Sequence, residues 1–218
     1  MGGNCAMEPS EARTRLQELV ATAGLKPLDD GTASQFAEYV SLFVRWNTRL
    51  NLSAIRDEEG ILSRHIIESI EVAHALPRGI ATLLDFGSGA GLPGIPIALC
   101  RPEIAVTLAE SQGKKAAFLQ EAVRVLGIDA KVHAGRAQDL RTVFDCVVLR
   151  AVDRMPKAVA AAAPLVAPTG WLALIATTGE LEGLKRAAGM EFSWLTVRRL
   201  TGGTQRIVAF GSRCGPQP

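Results

Sequence analysis

The first eighty residues of the chain carry apolar side chains at helical spacing. Leu16 and Val20 fall on one face of a predicted helix, and Gly24 marks the end of that helix. The spacing predicts three helices, at about residues 16–23, 33–46 and 58–75. We therefore expect residues 1–79 to form a helical segment that packs on the rest of the protein.

After Gly79 the pattern changes to short apolar runs separated by helical segments. The runs predict seven strands, at about residues 82–86, 104–108, 130–133, 144–149, 171–176, 197–200 and 206–210. The intervening helices are predicted at about residues 93–100, 114–126, 156–166 and 180–188. Strands that alternate with helices form βαβ units. Residues 80–218 are therefore predicted to form an α/β, Rossmann-like domain, with helices on both faces of a mostly parallel sheet.

The composition limits the classes of protein that fit this pattern. Of the 218 residues, 48% are hydrophobic and 21% are charged, which suits one sizeable core and argues against global disorder. The most apolar stretch, residues 155–177, carries Lys157 and is interrupted by Pro164, Pro168 and Gly170, so we predict no membrane span. The four cysteines form no C-x-x-C pair, which predicts neither a zinc site nor a disulfide framework.

The ends and the charge of the chain add weaker indications. We see no signal peptide, interpret Met1–Ala6 as an irregular start or a cloning remnant, and expect a cytoplasmic protein. The net charge of +2 argues against a general nucleic-acid binder. Residues 1–84 have a net charge of −3 and residues 85–218 a net charge of +5, so a basic C-terminal part can meet phosphate. On this count alone, ordinary surface charge is the better explanation.

A run of glycines lies between the first predicted strand and the helix that follows it. Asp85 ends the strand, and residues 85–94 read DFGSGAGLPG. Parallel sheets bind nucleotide-like ligands beyond the carboxyl ends of their strands, and glycines there permit positive φ and a close approach of the ligand. A turn without a ligand is a poor explanation, because so many glycines weaken a strand-to-helix junction.

Two nucleotide-like ligands compete for this loop. The spacing Gly89-x-Gly91-x-x-Gly94 matches a dinucleotide fingerprint, and Glu110 lies where a ribose-binding acid is expected. The longer pattern favours S-adenosylmethionine, because the Asp85 carboxylate can accept hydrogen bonds from the methionine part of that cofactor. The pyrophosphate of a dinucleotide would gain nothing from the same negative charge. Glu110 can hold both ribose hydroxyls in either case.

Three further positions are candidates for ligand contacts. The Gln138 amide and nearby backbone groups follow the third strand, where they can contact adenine, although a plain polar loop explains them equally well. Arg150 ends the fourth strand, which faces the donor methyl group in such folds, and can orient the cofactor carboxylate or contact the substrate. His65 lies on a helix face, where a structural role is the first interpretation and a capping or substrate contact the second.

Five stretches between Trp46 and Ala151 carry a family resemblance. They are WNxxLNLS at 46–53, HIIES at 65–69, the glycine run at 85–94, ESxxKKxxFL at 110–119 and RA at 150–151. Together they resemble the bacterial 16S ribosomal RNA guanine-N7 methyltransferases, the family of glucose-inhibited division protein B. The first two stretches are specific, because ordinary methyltransferases lack them.

The resemblance implies a class I methyltransferase fold with a seven-stranded sheet and a defined set of cofactor contacts. By resemblance these are Gly87, Leu92, Ala137, Gln138 and Arg150, and general fold logic adds Asp85, Gly89 and Glu110. The sequence departs from the family at Glu68, where Asp is usual, and at Gln138, where Glu is usual. It also departs near the end, where Gln205-Arg206 replaces the family's Arg before the last strand.

The implied reaction needs no general base, because guanine N7 has a lone pair and no proton to lose. We therefore predict catalysis by positioning, with no metal and no acid or base residue, and with His65 and Arg150 as possible substrate contacts. The protein is predicted to be a monomer, and its expected partner is 16S ribosomal RNA or the 30S particle. The target base must be unstacked to reach the site. Candidate phosphate contacts are Arg136, Arg141, Arg150, Arg154, Lys157, Arg198, Arg199 and Arg206.

Three other functions remain open on the sequence. One is a methyltransferase that acts on a small molecule or a protein. Another is a NAD-dependent oxidoreductase, for which little chain is left to build a substrate domain. The last is a non-catalytic ribosome-assembly factor that retains the fold. Methyl incorporation into RNA separates the assembly factor from the predicted enzyme, and a cofactor exchange test separates the oxidoreductase.

Overall fold

A seven-stranded sheet organises the computed structural model, which describes residues 7–201 and 203–214. Its strands are β1 (Thr82–Phe86), β2 (Ala105–Glu110), β3 (Ala130–Ala134), β4 (Phe144–Arg150), β5 (Val166–Thr177), β6 (Phe192–Arg199) and β7 (Arg206–Arg213). The order across the sheet is β3-β2-β1-β4-β5-β7-β6. Strand β7 runs antiparallel to β5 and β6, and the other neighbours are parallel. Residues 1–6, interpreted above as an irregular start, lie outside the described residues.

Helices precede the sheet and connect its strands. They are α1 (Pro9–Thr22), α2 (Asp30–Leu50), α3 (Glu58–Gly60), α4 (Ile67–Ala75), α5 (Gly94–Cys100), α6 (Gly113–Leu126), α7 (Met155–Ala162) and α8 (Leu181–Ala188). Apolar side chains pack on both sides of the sheet in two large clusters. The predicted α/β fold with a mostly parallel seven-stranded sheet and a preceding helical segment is confirmed.

The strand order brings several chain segments to one edge of the sheet. Strand β1 lies between β2 and β4, so the connections leave it in opposite directions and open a crevice at its carboxyl end. Phe86 at the end of β1 is level with Ala109 near the end of β2. Because β5 and β7 are antiparallel, Thr177 at the end of β5 pairs with Arg206 at the start of β7. The start of β7 therefore lies at the same edge as the crevice.

Some predicted boundaries were wrong where the apolar pattern is weak. Strand β5 begins at Val166 rather than residue 171, because its first residues include Pro168 and Gly170 and read as a helix end followed by a turn. Strand β6 begins at Phe192 rather than residue 197, since most of its side chains are exposed at the edge of the sheet. Pro93 precedes α5 instead of lying in its first turn.

The third predicted helix lies where it was expected, but it contains two kinds of helical turn. Residues 58–75 are helical throughout, as predicted, but Ile61–Ile66 form a π-helical turn between α3 and α4. This wider turn contains His65. Apolar spacing alone did not predict it, because a π-helical turn adds one residue to a single turn without changing the pattern on either side.

The helical segment packs directly against the glycine run. The buried face of α2 includes Phe36, Tyr39 and Phe43, which belong to the same apolar cluster as Leu83 of β1. The Tyr39 hydroxyl, within this buried face, donates a hydrogen bond to the backbone carbonyl of Ala90. The domain boundary predicted near residue 79 stays a prediction, and we propose that the two parts unfold together because they share this core.

Replacing Tyr39 with Phe tests the link between the helical segment and the glycine run. The ring keeps its packing, but the buried Ala90 carbonyl loses its donor, so we expect the free energy of unfolding to fall by about 1–2 kcal/mol. Urea unfolding followed by both fluorescence and circular dichroism would measure this change. We expect one transition by both probes at a lower midpoint. An unchanged midpoint, or separate transitions, would contradict the shared core.

Candidate functional site

The glycine run forms a loop that is tied to strand β2. Gly87, Gly89 and Gly91 have φ angles of +73°, +58° and +83°, in the region that favours glycine. The backbone N–H groups of Gly87 and Ser88 both donate to the carbonyl of Ala109, at 3.0 Å. The N–H of Gly89 donates to the Glu110 carboxylate at 2.9 Å. The loop is therefore held against the end of β2 by three hydrogen bonds.

Two glycines of the loop have different surroundings. A Cβ added at Gly94 would lie 2.3 Å from Leu108 Cδ2 and 2.6 Å from Asp85 Oδ2, so only glycine fits there. A Cβ added at Gly89 would meet nothing nearer than the Gly87 carbonyl, at 3.9 Å. The backbone at Gly89 is thus open on the side that a Cβ would occupy, as a ligand that approaches the main chain requires.

Asp85 supports the loop from behind. Its side chain is buried, and its Oδ2 accepts a hydrogen bond from the Gly94 N–H at 3.0 Å. Burial raises the pKa of the Asp85 carboxyl to about 6, although this hydrogen bond opposes the shift. Asp85 is not among the side chains that line the adjacent cleft. In this structure the residue holds the loop in place, and its predicted contact with the cofactor stays a prediction.

Glu110 presents its carboxylate at the end of β2. One oxygen accepts the Gly89 N–H, and the other accepts the Gln112 N–H at 2.7 Å. Glu110 is buried yet lines the cleft. A carboxylate oxygen can accept more than one hydrogen bond, so both oxygens retain capacity for the hydroxyls of a ribose.

A cleft of about 700 Å³ opens between the glycine loop, the ends of β2 and β4, and the helical segment. Its volume lies in the usual range for small-molecule sites. The side chains and backbone that line it are Leu52, Ser53, Ile55, Arg64, His65, Glu68, Gly87, Ser88, Gly89, Ala90, Leu92, Glu110, Ser111, Gln112, Lys115, Arg150, Ala151, Val152, Asp153 and Arg206. Open glycine backbone, an acid at the end of β2 and sufficient volume together fit S-adenosylmethionine.

An ion cluster lines the cleft beside the glycine loop. The Glu68 side chain, 3% exposed, accepts two hydrogen bonds from Arg206, each at 2.9 Å. Arg150 Nε lies 2.8 Å from the same carboxylate. Burial alone would raise the pKa of Glu68, but the hydrogen bonds from Arg206 and the charges of both arginines outweigh it and lower the pKa. Glu68 is therefore ionised between two cations.

His65 connects this cluster to the loop after α2. Its Nδ1 lies 2.7 Å from Arg150 Nη2, and its Nε2 lies 2.8 Å from Ser53 Oγ. The Asn47 side chain accepts from the Ser53 N–H and donates to the Ile55 carbonyl, which fixes this loop. Burial, and next the charge of Arg150, lower the pKa of His65 to about 4. The imidazole is therefore neutral at physiological pH.

The structure brings most of the predicted site residues to one cleft. The predicted residues on its wall are His65, Gly87, Gly89, Leu92, Glu110 and Arg150. Ala137 and Gln138 form a short 3₁₀ turn after β3 and are not part of this wall, so their predicted contact with adenine stays a prediction. Trp46 packs edge-on against Phe118, at the border of the apolar core.

The cluster around Glu68 is the part of the site that sequence reasoning missed. Arg206 was predicted to contact RNA phosphate, but it pairs with Glu68 and is only one-quarter exposed. Ser53 and Glu68 belong to the specific stretches of the family resemblance, but the sequence predicts no role for either. The available signal was the joint presence of those stretches with Arg150. Only their arrangement in space shows that they form one network.

Comparison with known families identifies the chain. The family model described as rRNA small subunit methyltransferase G matches residues 32–207. The chain belongs to this family. A ribosomal RNA small subunit methyltransferase G from Xanthomonas oryzae pv. oryzae is 40% identical over 148 residues, which cover 66% of this chain and 69% of that protein. One from Roseiflexus sp. is 44% identical over 135 residues, covering 59% of this chain and 58% of that protein.

Solved structures of similar fold are methyltransferases of low sequence identity. An O-methyltransferase from Bacillus cereus, in complex with SAH, aligns with a TM-score of 0.59 at 16% identity, covering 91% of this chain and 97% of that one. A SAM-dependent methyltransferase from Aquifex aeolicus aligns with a TM-score of 0.56 at 16% identity, covering 71% of this chain and 93% of that one. At these identities, the likeness supports the fold alone.

Membership of the rRNA small subunit methyltransferase G family confirms three predictions. The resemblance based on the five stretches was correct. The predicted enzyme class, an RNA methyltransferase, is confirmed, and so is the predicted cofactor, S-adenosylmethionine. Within residues 7–201 and 203–214, no helix is both long enough and apolar enough to span a membrane.

The opposite pKa shifts of His65 and Asp85 predict a pH dependence that variants can separate. Between pH 4 and 6, His65 is protonated in the unfolded chain but neutral in the folded chain. Asp85 behaves in the opposite way, because its carboxyl is ionised in the unfolded chain but protonated in the folded chain. The two contributions therefore offset each other in the native sequence. We expect the stability of His65→Asn to fall as pH rises from 4 to 6, and that of Asp85→Asn to fall as pH drops from 6 to 4.

Each trend should amount to about 2 kcal/mol over the two pH units. Urea unfolding of the two variants and the native protein, at half-unit intervals from pH 4 to 7, would measure it. Parallel pH profiles for the two variants would contradict the assigned pKa shifts.

Proposed function

We propose that this chain transfers the methyl group of S-adenosylmethionine to N7 of a guanine in 16S ribosomal RNA. The observation that carries the proposal is the single cleft in which the glycine loop and the family's specific stretches meet. The loop and Glu110 form one wall, and His65 and Glu68 from the helical segment form another. The resemblance to guanine-N7 methyltransferases supports the choice of acceptor atom. We further propose that the protein acts as a cytoplasmic monomer.

The residues present suggest how the cofactor is held. The open backbone at Gly89, next to Gly87, suits the methionine part, and the Glu110 carboxylate suits the ribose hydroxyls. Arg150 at the end of β4 suits the cofactor carboxylate. Leu92 lines the same wall. The proposed contacts of Ala137 and Gln138 with adenine rest on the family resemblance.

Methyl transfer to N7 requires positioning more than proton transfer. The bound cofactor supplies an electrophilic methyl group on a positively charged sulfur. Guanine N7 offers a lone pair and releases no proton, so no residue has to act as a base. The low pKa of His65, about 4, agrees with this, because a neutral imidazole of low basicity is a poor proton acceptor. The chain's task is to hold the acceptor in line and to exclude water.

The acceptor side of the cleft carries positive charge that suits RNA. Arg64 and Lys115 line the cleft, and Arg64 is exposed whereas Arg150 is not. Arg198 and Arg199 are exposed at the end of β6, which lies at the cleft edge of the sheet because Arg199 pairs with Ile207 near the start of β7. We propose these residues as phosphate contacts, either to 16S ribosomal RNA or to the 30S particle. An acceptor that is a small molecule or a protein would not require them.

Methyl incorporation into ribosomal RNA tests the proposal directly. Purified protein, methyl-labelled S-adenosylmethionine and small-subunit particles from cells that lack the activity should give label at one guanine N7. Gly87→Asp should reduce incorporation by at least about a hundredfold, because it adds a strained, charged side chain facing Val152 at the cofactor loop. Gly79→Asp is the matched control, since Gly79 also has positive φ but lies in open space before β1.

Cofactor binding without label in any RNA would leave the fold intact and refute the acceptor. Equal losses in the two glycine variants would refute the assignment of the loop. Naked 16S ribosomal RNA offered in place of the particle would identify the form of the substrate.

Replacing Glu110 with Gln tests the proposed ribose contact. The amide nitrogen of Gln cannot accept a hydrogen bond from the N–H of Gly89 or Gln112, so one of these two loop contacts is lost. The neutral amide is also a weaker acceptor for the ribose hydroxyls than the carboxylate. We expect S-adenosylhomocysteine to bind about ten- to a hundredfold more weakly, measured by calorimetry. Glu103→Gln is the control, because Glu103 is exposed and pairs only with Arg101 among the described residues. Equal affinity in both variants would contradict the contact.

A further inference from the structure

His65 has a role that methyl transfer itself does not explain. It is partly buried in the π-helical turn and is stacked on Phe43, with ring centroids 6.2 Å apart. The reaction needs no base, yet both ring nitrogens of His65 make short contacts to Arg150 and Ser53. A histidine that served only as core packing would not require two polar partners of this kind.

The contact with Arg150 determines where the imidazole proton lies. A guanidinium can only donate hydrogen bonds, so His65 Nδ1, 2.7 Å from Arg150 Nη2, must be the acceptor. The neutral ring therefore carries its proton on Nε2, which faces Ser53 Oγ at 2.8 Å. Ser53 Oγ also accepts the Ile55 N–H, at 3.1 Å. Asn47 holds this loop in turn, through the Ser53 N–H at 2.9 Å.

The Arg150 guanidinium is held on two of its three nitrogens. Nε lies beside Glu68, and Nη2 lies beside His65. Among the described residues, every buried side-chain nitrogen or oxygen has a hydrogen-bond partner, whereas Nη1 of Arg150 contacts no protein acceptor. Since Arg150 lines the cleft, we infer that Nη1 is the nitrogen available to a ligand there. A carboxylate in the cleft would therefore meet Nη1.

We propose that His65 is a positioning residue that, as the Nε2–H tautomer held by Ser53, fixes Arg150 so that Nη1 faces the carboxylate of the bound cofactor. The inference rests on the proposed function for the identity of that carboxylate. The charged groups around His65 are Arg150, Arg206 and Arg64, which disfavour its protonation, and Glu68, which favours it. Protonation of His65 would place a proton on Nδ1, which could then no longer accept the hydrogen bond from Arg150.

Nitrogen-15 NMR of the protein without cofactor tests the tautomer independently of activity. The chain has three histidines, so loss of one set of signals in His65→Asn identifies His65. We expect a neutral ring protonated on Nε2 throughout pH 6–8. In Arg150→Met the ring should lose its fixed tautomer and titrate at higher pH. A proton on Nδ1, or a charged ring at pH 6, in the native protein would overturn the proposal.

Two ligands that differ only at the amino-acid end test the positioning of Arg150. S-adenosylhomocysteine has the carboxylate, whereas 5′-methylthioadenosine has the same nucleoside without it. His65→Leu should bind S-adenosylhomocysteine about tenfold more weakly and methylthioadenosine unchanged, since only one contact is misplaced. His65→Asn, whose side-chain oxygen can replace the Nδ1 acceptor, should recover most of the affinity. His74→Asn, on the exposed side of α4, is the control.

The outcomes separate this inference from the proposed function. Equal weakening of both ligands would indicate a merely structural role for His65 and would overturn the proposal, as would no weakening of either. Should His65→Leu fail to fold, the comparison of the native protein with His65→Asn and Arg150→Met still decides it. Absence of RNA methylation alongside the expected tautomer and ligand pattern would refute the acceptor and leave the positioning role intact.

Discussion

The carboxylate of Glu68 is the one buried charge on which the cleft depends. It comes from the helical segment and is paired with Arg150 of β4 and Arg206 of β7, so three distant parts of the chain meet on one side chain. Removal of such a carboxylate would leave two cations partly buried without compensation, which costs far more than a surface ion pair contributes. Glu68 therefore fixes the helical segment at the cleft edge of the sheet and sets the direction of the arginines.

The two walls of the cleft are stabilised in different ways. The glycine loop is held by backbone hydrogen bonds to β2 and by Asp85 behind it, which leaves its open face for a ligand. The other wall is a network of side chains from Asn47 to Arg206, every member of which has a partner. Such a network is rigid when complete, because each partner restrains the next. This arrangement suits a reaction whose catalysis consists mainly of positioning.

The helical segment is thus part of the site and more than an appendage of the sheet. Its Tyr39 contacts the glycine loop, and its π-helical turn presents His65 to Arg150. Glu68 reaches both arginines from this segment.

The sequence by itself determined the fold class, the glycine loop and the family. Alternating strands and helices specify a parallel sheet, and glycines at the end of β1 specify a ligand loop, because both are local patterns with one structural solution. Edge strand β6 and the π-helical turn were not predictable, since exposure and a single added residue leave no periodic signal. The tertiary structure alone decided that Ser53, His65, Glu68 and Arg206 form one network with Arg150, because residues up to 138 positions apart meet only when helices pack on the sheet.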